Sequence, residues 1–263
     1  MSDLYKRIAS VKIGNRVFTF PPFSIEFDQT IKIGVPTTTT LKLYNPAPDT
    51  IKACEAIGAG LAKKYPQVTI DAGYEAEHGT CVIGSVYKYE VKKQGADRVL
   101  ECSISDQTMN WQNAIINKTW KKTAGSVILK DMLASLGITA SVTLGTDKTY
   151  TTFTATTFRS AVQKIITDTK SEYIFKNGTF EATPKTKKNT TNVYLLTPET
   201  GLLDVPKKTT NGWQFKTLFF YKLNGGDYVK LKTLTINAVL KIISGKKSFS
   251  TFGDATGEWE GVQ

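Results

Sequence analysis

Histidine is almost missing from this chain. In 263 residues there is one, His78, so a histidine-built metal centre or a Ser-His-Asp triad would have to form around that single side chain. It stands beside Gly79 in what reads as a turn. Cysteine is scarce as well. Cys54, Cys81 and Cys102 are an odd number with no close pair in sequence, which argues against a disulfide framework and reads as small buried hydrophobes. Arginine occurs only at Arg7, Arg16, Arg98 and Arg159; base-edge reading leans on arginine, so sequence-specific DNA binding is not expected. The phosphate-cradling patterns G-x-x-x-x-G-K-[S/T] and G-x-G-x-x-G are absent. No apolar run approaches the roughly 20 residues of a membrane-spanning helix. The segment Met1 to Arg7 has no apolar signal core, so a chain made in a cytosol, without a membrane anchor, is expected. These gaps leave no catalytic, metal-binding or cofactor-binding residue to nominate, and a non-enzymatic protein is the expectation.

What is present is a folding composition, 40% hydrophobic, 11% aromatic and 22% charged. Lys and Arg outnumber Asp and Glu by 34 to 23, a formal charge of +11. The lysines come in short clusters, Lys63-Lys64, Lys92-Lys93, Lys121-Lys122, Lys185 to Lys188, Lys207-Lys208 and Lys246-Lys247. Scattered at turns along the whole chain, they read as a solvated surface before they read as a nucleic-acid face. Asn-x-Thr triplets at Asn117, Asn177 and Asn189 mean nothing without a secretory route.

Three stretches differ in character. The first, 1–111, is strand broken by turns: Ile8 to Ile13, Arg16 to Phe20 closed by Pro21-Pro22, Thr38 to Tyr44, Gln67 to Ala72, Cys81 to Val91 bending at Gly84, and Arg98 to Ser105. One helix interrupts it, expected from about Thr50 to Lys64 with Asp49 as N-cap, though Gly58 and Gly60 cost it about 1 kcal/mol each against alanine. The second, 112–188, mixes helix and strand. Helices are expected over Ser126 to Leu136, stopped by Gly137, and over Thr157 to Lys170, where Phe158, Ala161, Val162, Ile165 and Ile166 make one stripe. A hairpin follows, Glu172 to Phe175 and Thr179 to Ala182 about Asn177-Gly178. After the polar run Lys185 to Asn192, the third stretch, 189–263, is again strand: Trp213 to Leu218, Asp227 to Lys232, Leu234 to Ile243. The fold class expected is mainly β with an α/β insert, two β-barrel-like domains flanking a small α/β domain.

Two sets of residues carry a family likeness. Leu41-Lys42-Leu43-Tyr44-Asn45 followed by Asp49-Thr50-Ile51, then Ile70-Asp71-Ala72-Gly73-Tyr74, Gly79, Ile83-Gly84-Ser85-Val86 and Ser105-Asp106 form the first. The second is Thr200-Gly201-Leu202-Leu203-Asp204-Val205-Pro206, Gly212 to Leu218, and Leu223-Asn224-Gly225-Gly226-Asp227-Tyr228-Val229-Lys230-Leu231, closed by Gly253-Asp254 and Glu258-Trp259. In this order and spacing the chain resembles phage tail baseplate hub proteins, the T4-type hub and late-control protein D group. It departs from them at Tyr221-Lys222-Leu223, where a proline is usual, and near Lys246 to Phe249, where relatives often carry a histidine. The matching positions Tyr44, Asn45, Gly73, Tyr74, Gly201, Pro206, Gly212, Leu218, Gly226 and Asp227 read as structural, the glycines as turn or positive-φ positions and Tyr74 as an anchor.

The resemblance implies a homotrimer in which two similar β domains per chain make a ring of six. Such a ring would adapt a six-fold tail tube to a three-fold spike or tail tip and initiate tube assembly in the virion tail, after assembly in the host bacterial cytoplasm. Tube, spike or tip, and tape-measure proteins would be partners, and DNA would pass through without specific binding. Lysines lining such a channel would retain DNA, so most of the positive charge is expected to face outward. The hub of a phage-tail-like bacteriocin or contractile injection system would read the same. Two readings of other classes stay beside it. One is a cell-wall hydrolase using Glu75 and Glu77. The other is a basic nucleic-acid-binding β protein using Tyr87-Lys88-Tyr89 and Trp120-Lys121-Lys122.

Overall fold

A computed structural model describes residues 6–57, 64–106, 111, 114–186 and 193–263. The first strands follow the alternation of the sequence. β1 (Arg7–Ile13) and β2 (Arg16–Phe20) close a hairpin over Gly14 at φ 55°. β3 (Ile25–Lys32) then buries Ile25, Phe27, Gln29 and Ile31 on one face. The sequence reading places no strand there, because a glutamine stands where the inward alternation calls for a hydrophobe. β4 (Thr38–Tyr44) pairs with β3 as expected.

The helix expected over Thr50 to Lys64 is a single six-residue turn of structure, α1 (Pro48–Ala53). Ala47 is its N-cap, and Asp49 lies in the first turn and caps nothing with its side chain. Pro48 supplies the helical φ at the start. Beyond Cys54 the backbone leaves the helix, and Ile57 pairs with Lys64 in an antiparallel bridge. The remaining part of the expected helix, 58–63, lies outside the described residues. An isolated turn this short does not hold itself together in water; Thr50 and Cys54, both buried, tie it to the core.

β5 (Gln67–Tyr74), β6 (Glu77–Gln94) and β7 (Asp97–Ser105) continue as a meander. β6 runs for 18 residues and starts before the expected Cys81. His78 is therefore a strand residue opposite Gly73, and the turn is Glu75-Ala76. β6 is irregular at Cys81, where the register against β5 shifts, and between Val86 and Lys88, where the register against β7 shifts, and not at Gly84. Gly84 is the point of closest approach, since a Cβ there would stand 2.6 Å from the Ser105 carbonyl oxygen.

The middle stretch comprises β8 (Ile115–Ala124), α2 (Gly125–Ser135), β9 (Ala140–Val142), β10 (Thr149–Thr157), α3 (Phe158–Asp168), β11 (Ser171–Lys176) and β12 (Thr179–Pro184). α2 and α3 stand where their apolar periodicity puts them, and Gly137 ends α2 at φ 69°. All five stripe residues of α3 are buried. Asn177 and Gly178 have φ 49° and 77°, the paired left-handed turn that an Asn-Gly hairpin uses. β8 and β10 were not legible. Their sequences, IINKTWKKTA and TYTTFTATT, are threonine- and lysine-rich and bury few side chains.

The last stretch holds β13 (Val193–Leu196), a 3-10 turn at Pro198–Thr200, β14 (Lys207–Lys208), β15 (Trp213–Leu218), β16 (Tyr228–Lys232), β17 (Asn237–Ser250) and β18 (Ala255–Val262). The strand expected over Leu234 to Ile243 is displaced. Leu234 is fully exposed in the preceding turn, and β17 runs on through Ser244-Gly245 to Ser250.

β17 is the pivot of the molecule. Its first half pairs with β16 and its second half with β3, while β18 lies along its other edge from Lys241 to Phe249. One strand path therefore runs β14-β15-β18-β17-β3-β4-β7-β6-β5-β1-β2 across both β regions, while β8-β10 and β11-β12-β9 form two small sheets. Three hydrophobic clusters fill the fold. One lies under β1 to β7, one around α2 and α3, and one under β15 to β18. They exchange residues. Phe219, Phe249 and Ala255 belong to the first cluster, and Ile31 and Ile174 to the third. The architecture is mainly β with an α/β insert, as the alternation indicated.

Candidate functional site

The residues singled out in sequence sit at turns and crossings. Tyr44 ends β4. Asn45 has φ 52°; its amide donates to Asp97 Oδ1 (2.8 Å), its side-chain oxygen accepts from the Arg98 backbone N–H (3.0 Å), and its own N–H donates to the Arg98 carbonyl (2.7 Å). It thus clamps the end of β4 to the turn end of the β6–β7 hairpin. Tyr74 is buried in the first cluster, and its hydroxyl donates to the Ala255 carbonyl (3.3 Å), joining β5 to β18. Gly73 has φ 153°, and a Cβ there would strike the Glu77 carbonyl and stand 2.6 Å from the His78 Cα. Gly73→Ala is expected to cost at least about 2 kcal/mol in chemical denaturation, because strand backbone and the His78 Cβ lie in the way.

In the last stretch Gly201, at φ 103°, ends the 3-10 turn, which Thr197 caps. Its carbonyl accepts from the N–H of Leu218, the last residue of β15 (2.8 Å). Pro206 is buried between the exposed Val205 and Lys207. Gly212 lies so close to the Gly261 carbonyl that no Cβ fits. Gly226, at φ 79°, turns the chain into β16. Asp227 accepts from the Asn224 backbone N–H with Oδ2 (2.8 Å) and from Lys176 Nζ with Oδ1 (2.8 Å).

That last contact marks where the three stretches meet. Lys176 comes from β11 of the insert and Asp227 from the last β region; a second ion pair, Lys241 with Glu172, joins the same two. Gly225 fills the corner between them. A Cβ there would stand 2.5 Å from Ile174 of the insert and 3.1 Å from Ile31 of β3. The first β region closes the corner. The Gly34 N–H donates to the Tyr173 carbonyl (2.7 Å), the Tyr173 hydroxyl to the Gly34 carbonyl (2.6 Å), and the Thr37 hydroxyl to the Phe175 carbonyl (3.3 Å). A cleft of about 270 Å³ opens beside the ion pairs, lined by Glu172, Lys176, Glu181, Asp227 and Lys241 among others. Asp227→Asn leaves the Lys176 ammonium half-buried without its counter-charge. A loss of about 1–3 kcal/mol is expected in urea melts, while Asp49→Asn, whose partner Arg16 is exposed, changes little.

Behind this corner lies Lys247, a fully buried lysine on β17 directly opposite Gln29 of β3. Its ammonium donates to the Tyr221 carbonyl (2.9 Å) and to Asn224 Oδ1 (3.3 Å). Burial pulls its pKa from 10.5 down to about 8, against the attraction of Cys81, Asp227 and Asp106. Burial likewise pushes the Asp106 carboxyl up to about 7, held back by its Thr37 hydrogen bond and by Lys247. Gln29 donates to the Cys81 carbonyl (3.1 Å), and its side-chain oxygen has no partner among the described residues. Sequence reasoning gave no role to Lys176, Glu172, Lys241 or Gln29, and Gly225 stood in its motif run without one. It took Lys246-Lys247 for surface charge. The strand alternation Phe249, Lys247, Gly245 put Lys247 inward and was the available signal.

The residues behind the other readings are placed as follows. Glu75 pairs with Lys6, and Glu77 with Lys222, both exposed. Trp120 is buried in the second cluster, and its indole donates to Asp131 Oδ2 (2.8 Å). Tyr89 packs against the first cluster, and Tyr87 is partly exposed. Among the described residues no group of three or more His, Cys, Asp or Glu is placed to hold a metal ion, and no helix is long and apolar enough to cross a membrane.

No family model and no curated protein matches the chain. Solved structures do. A tail protein of prophage MuSo2 from Shewanella oneidensis is similar at 10% identity, covering 98% of this chain and 98% of its own, with a TM-score of 0.71. A tail protein from Neisseria meningitidis is similar at 9% identity over 98% and 97% of the two chains, TM-score 0.65. A type VI secretion component from E. coli, itself described as structurally similar to two tail proteins of bacteriophage T4, matches at 10% identity over 96% of this chain and 76% of its own, TM-score 0.66. At these identities the likeness establishes the fold. Over nearly its whole length the chain has the fold of these tail proteins.

Proposed function

We propose that this chain is the structural hub of a phage tail baseplate or tail tip. In that reading three copies form a ring that adapts a six-fold tail tube to a three-fold spike or tip and starts tube assembly. One observation carries the reading: a fold shared end to end with a prophage tail protein, 98% of each chain. The three units behind it, 1–111, 112–188 and 189–263, are supported by the three hydrophobic clusters. A scaffold role agrees with motif residues that fix turns and strand crossings. The chain acts without catalysis or cofactor. Its partners are tube, spike or tip, and tape-measure proteins, its place is the virion tail after assembly in the host cytoplasm, and DNA passes its channel without specific binding.

A second reading, the hub of a contractile injection system or bacteriocin, is favoured by the likeness to the E. coli secretion component and to a Francisella PdpA–VgrG complex, matched over 97% of this chain and 57% of that one at TM-score 0.66. The difference lies in neighbouring proteins and not in this fold. Mass photometry over rising concentration tests the common core of both: a species of three chain masses is expected. A stable dimer, or a monomer that binds single-stranded oligonucleotide tightly at physiological salt, would remove it.

A further inference from the structure

Two of the cysteines, far apart in sequence, meet in the fold. Cys54 caps the end of α1 and Cys102 lies in the middle of β7, between Leu41 of β4 and Tyr89 of β6. Their sulfurs are 3.7 Å apart in the first hydrophobic cluster. Disulfide formation needs this separation to shorten to about 2.05 Å. The side that must move is small. α1 is six residues long, and Cys54 sits at its last turn, where the helical backbone ends. The third cysteine, Cys81, lies on β6, where its thiol donates to the Ile70 carbonyl of β5 (3.3 Å).

We infer that Cys54 and Cys102 form a dithiol modification site that closes to an intramolecular disulfide when the protein meets a small-molecule disulfide such as oxidised glutathione. The inference rests on the thiol geometry and stands whether or not the chain is a hub. Cys54 is the attacking sulfur; it is buried, and glutathione reaches it when the six-residue α1 opens from the sheet. The hydrogen bond between the two sulfurs lowers the pKa of Cys54, and the same bond together with burial raises that of Cys102. The Cys54 thiolate forms a bond to one glutathione sulfur and expels the other as glutathione thiolate. Cys102, giving its proton to solvent, then attacks Cys54 Sγ and expels the second glutathione. Two thiols are oxidised by two electrons, one glutathione disulfide is reduced to two thiols, and no other reactant is needed. The product staples α1 to the sheet and closes a long loop of chain, which restricts the unfolded state.

The test treats the full-length native protein with oxidised glutathione. The expected result is a mass loss of about 2 Da, the two hydrogens removed in forming one S–S bond, with a Cys54–Cys102 cross-linked peptide on digestion. A rise in melting temperature of about 4–8 °C should accompany it and reverse with a dithiol reductant. Cys81→Ser retains both effects. Cys54→Ser and Cys102→Ser each abolish them, and either one suffices if the other does not fold. A persistent glutathione adduct at Cys54, a cross-link involving Cys81, or full alkylation of all thiols after denaturation would each overturn the inference.

Discussion

A Trp259→Ala chain is expected to lose about 3–5 kcal/mol of unfolding free energy, a large part of the 5–15 kcal/mol typical of a folded domain. Trp259 is buried on β18 in the third cluster, beside Phe215 of β15. Its slot is cut from backbone. Gly245 on β17 lies against one side of the ring, so that a Cβ there would collide with it, and a Cβ at Gly257 would stand 2.5 Å from Nε1. The indole N–H donates to Thr217 Oγ1 at 3.0 Å, so the one polar atom of the side chain is satisfied. Alanine leaves a cavity whose walls are strand backbone and cannot collapse into it. Because β17 and β18 also carry the first β region through β3, the loss should appear as one cooperative shift in urea denaturation and not as separate unfolding of the C-terminal stretch. Thr217→Val should cost less, about 1–2 kcal/mol, by leaving the indole N–H unpaired.

The second large effect is a pH dependence. The folded pKa of Lys247, about 8, lies below its unfolded value near 10.5. Between those values the unfolded chain binds the extra proton, so stability must rise with pH through this window. Below about pH 8 the lysine is charged in both states, and the native state bears the cost of its burial in full. From about pH 8 to pH 9.5 the gain amounts to about 1.5 kcal/mol. Lys247→Met keeps the length of the side chain and removes the charge. Subtracting its stability profile from that of the parent chain should leave a rise with pH in this window, carried by Lys247 and by the release of Asp106, which Lys247 holds down. A parent and variant with parallel profiles from pH 8 to 9.5 would show that Lys247 is solvated in the folded state.

Much of this fold was legible because its elements repeat simple periods. The alternation of β1, β2, β4, β7 and β15, the stripe of α3 and the Asn177-Gly178 turn each lie where local pattern and tertiary packing agree. The failures share a cause. β3 hides behind Gln29, and the second half of β17 hides behind Ser244-Gly245-Lys246-Lys247, because polar residues face inward there to meet partners from distant chain segments. β8 and β10 escape notice because a two-stranded sheet with one wet face needs few apolar residues. The helix over Thr50 to Lys64 was overextended because apolar spacing alone does not carry a short segment past its last buried anchor, Cys54. The motif glycines and Asn45 were read as structural, and the close approaches at Gly73 and Gly212 and the left-handed backbone at Asn45 supply the reason. The corner where Lys176, Asp227, Gly225 and Ile31 converge had no signature in any single segment, because each residue becomes meaningful only beside the others.

The central proposal is a three-fold ring. Electron microscopy of the purified chain, viewed end-on at concentrations that drive self-association, tests it most directly. The account predicts particles with three-fold symmetry, an open centre and six similar lobes around it. Particles of two-fold symmetry, or a closed three-fold body without a channel, would contradict it.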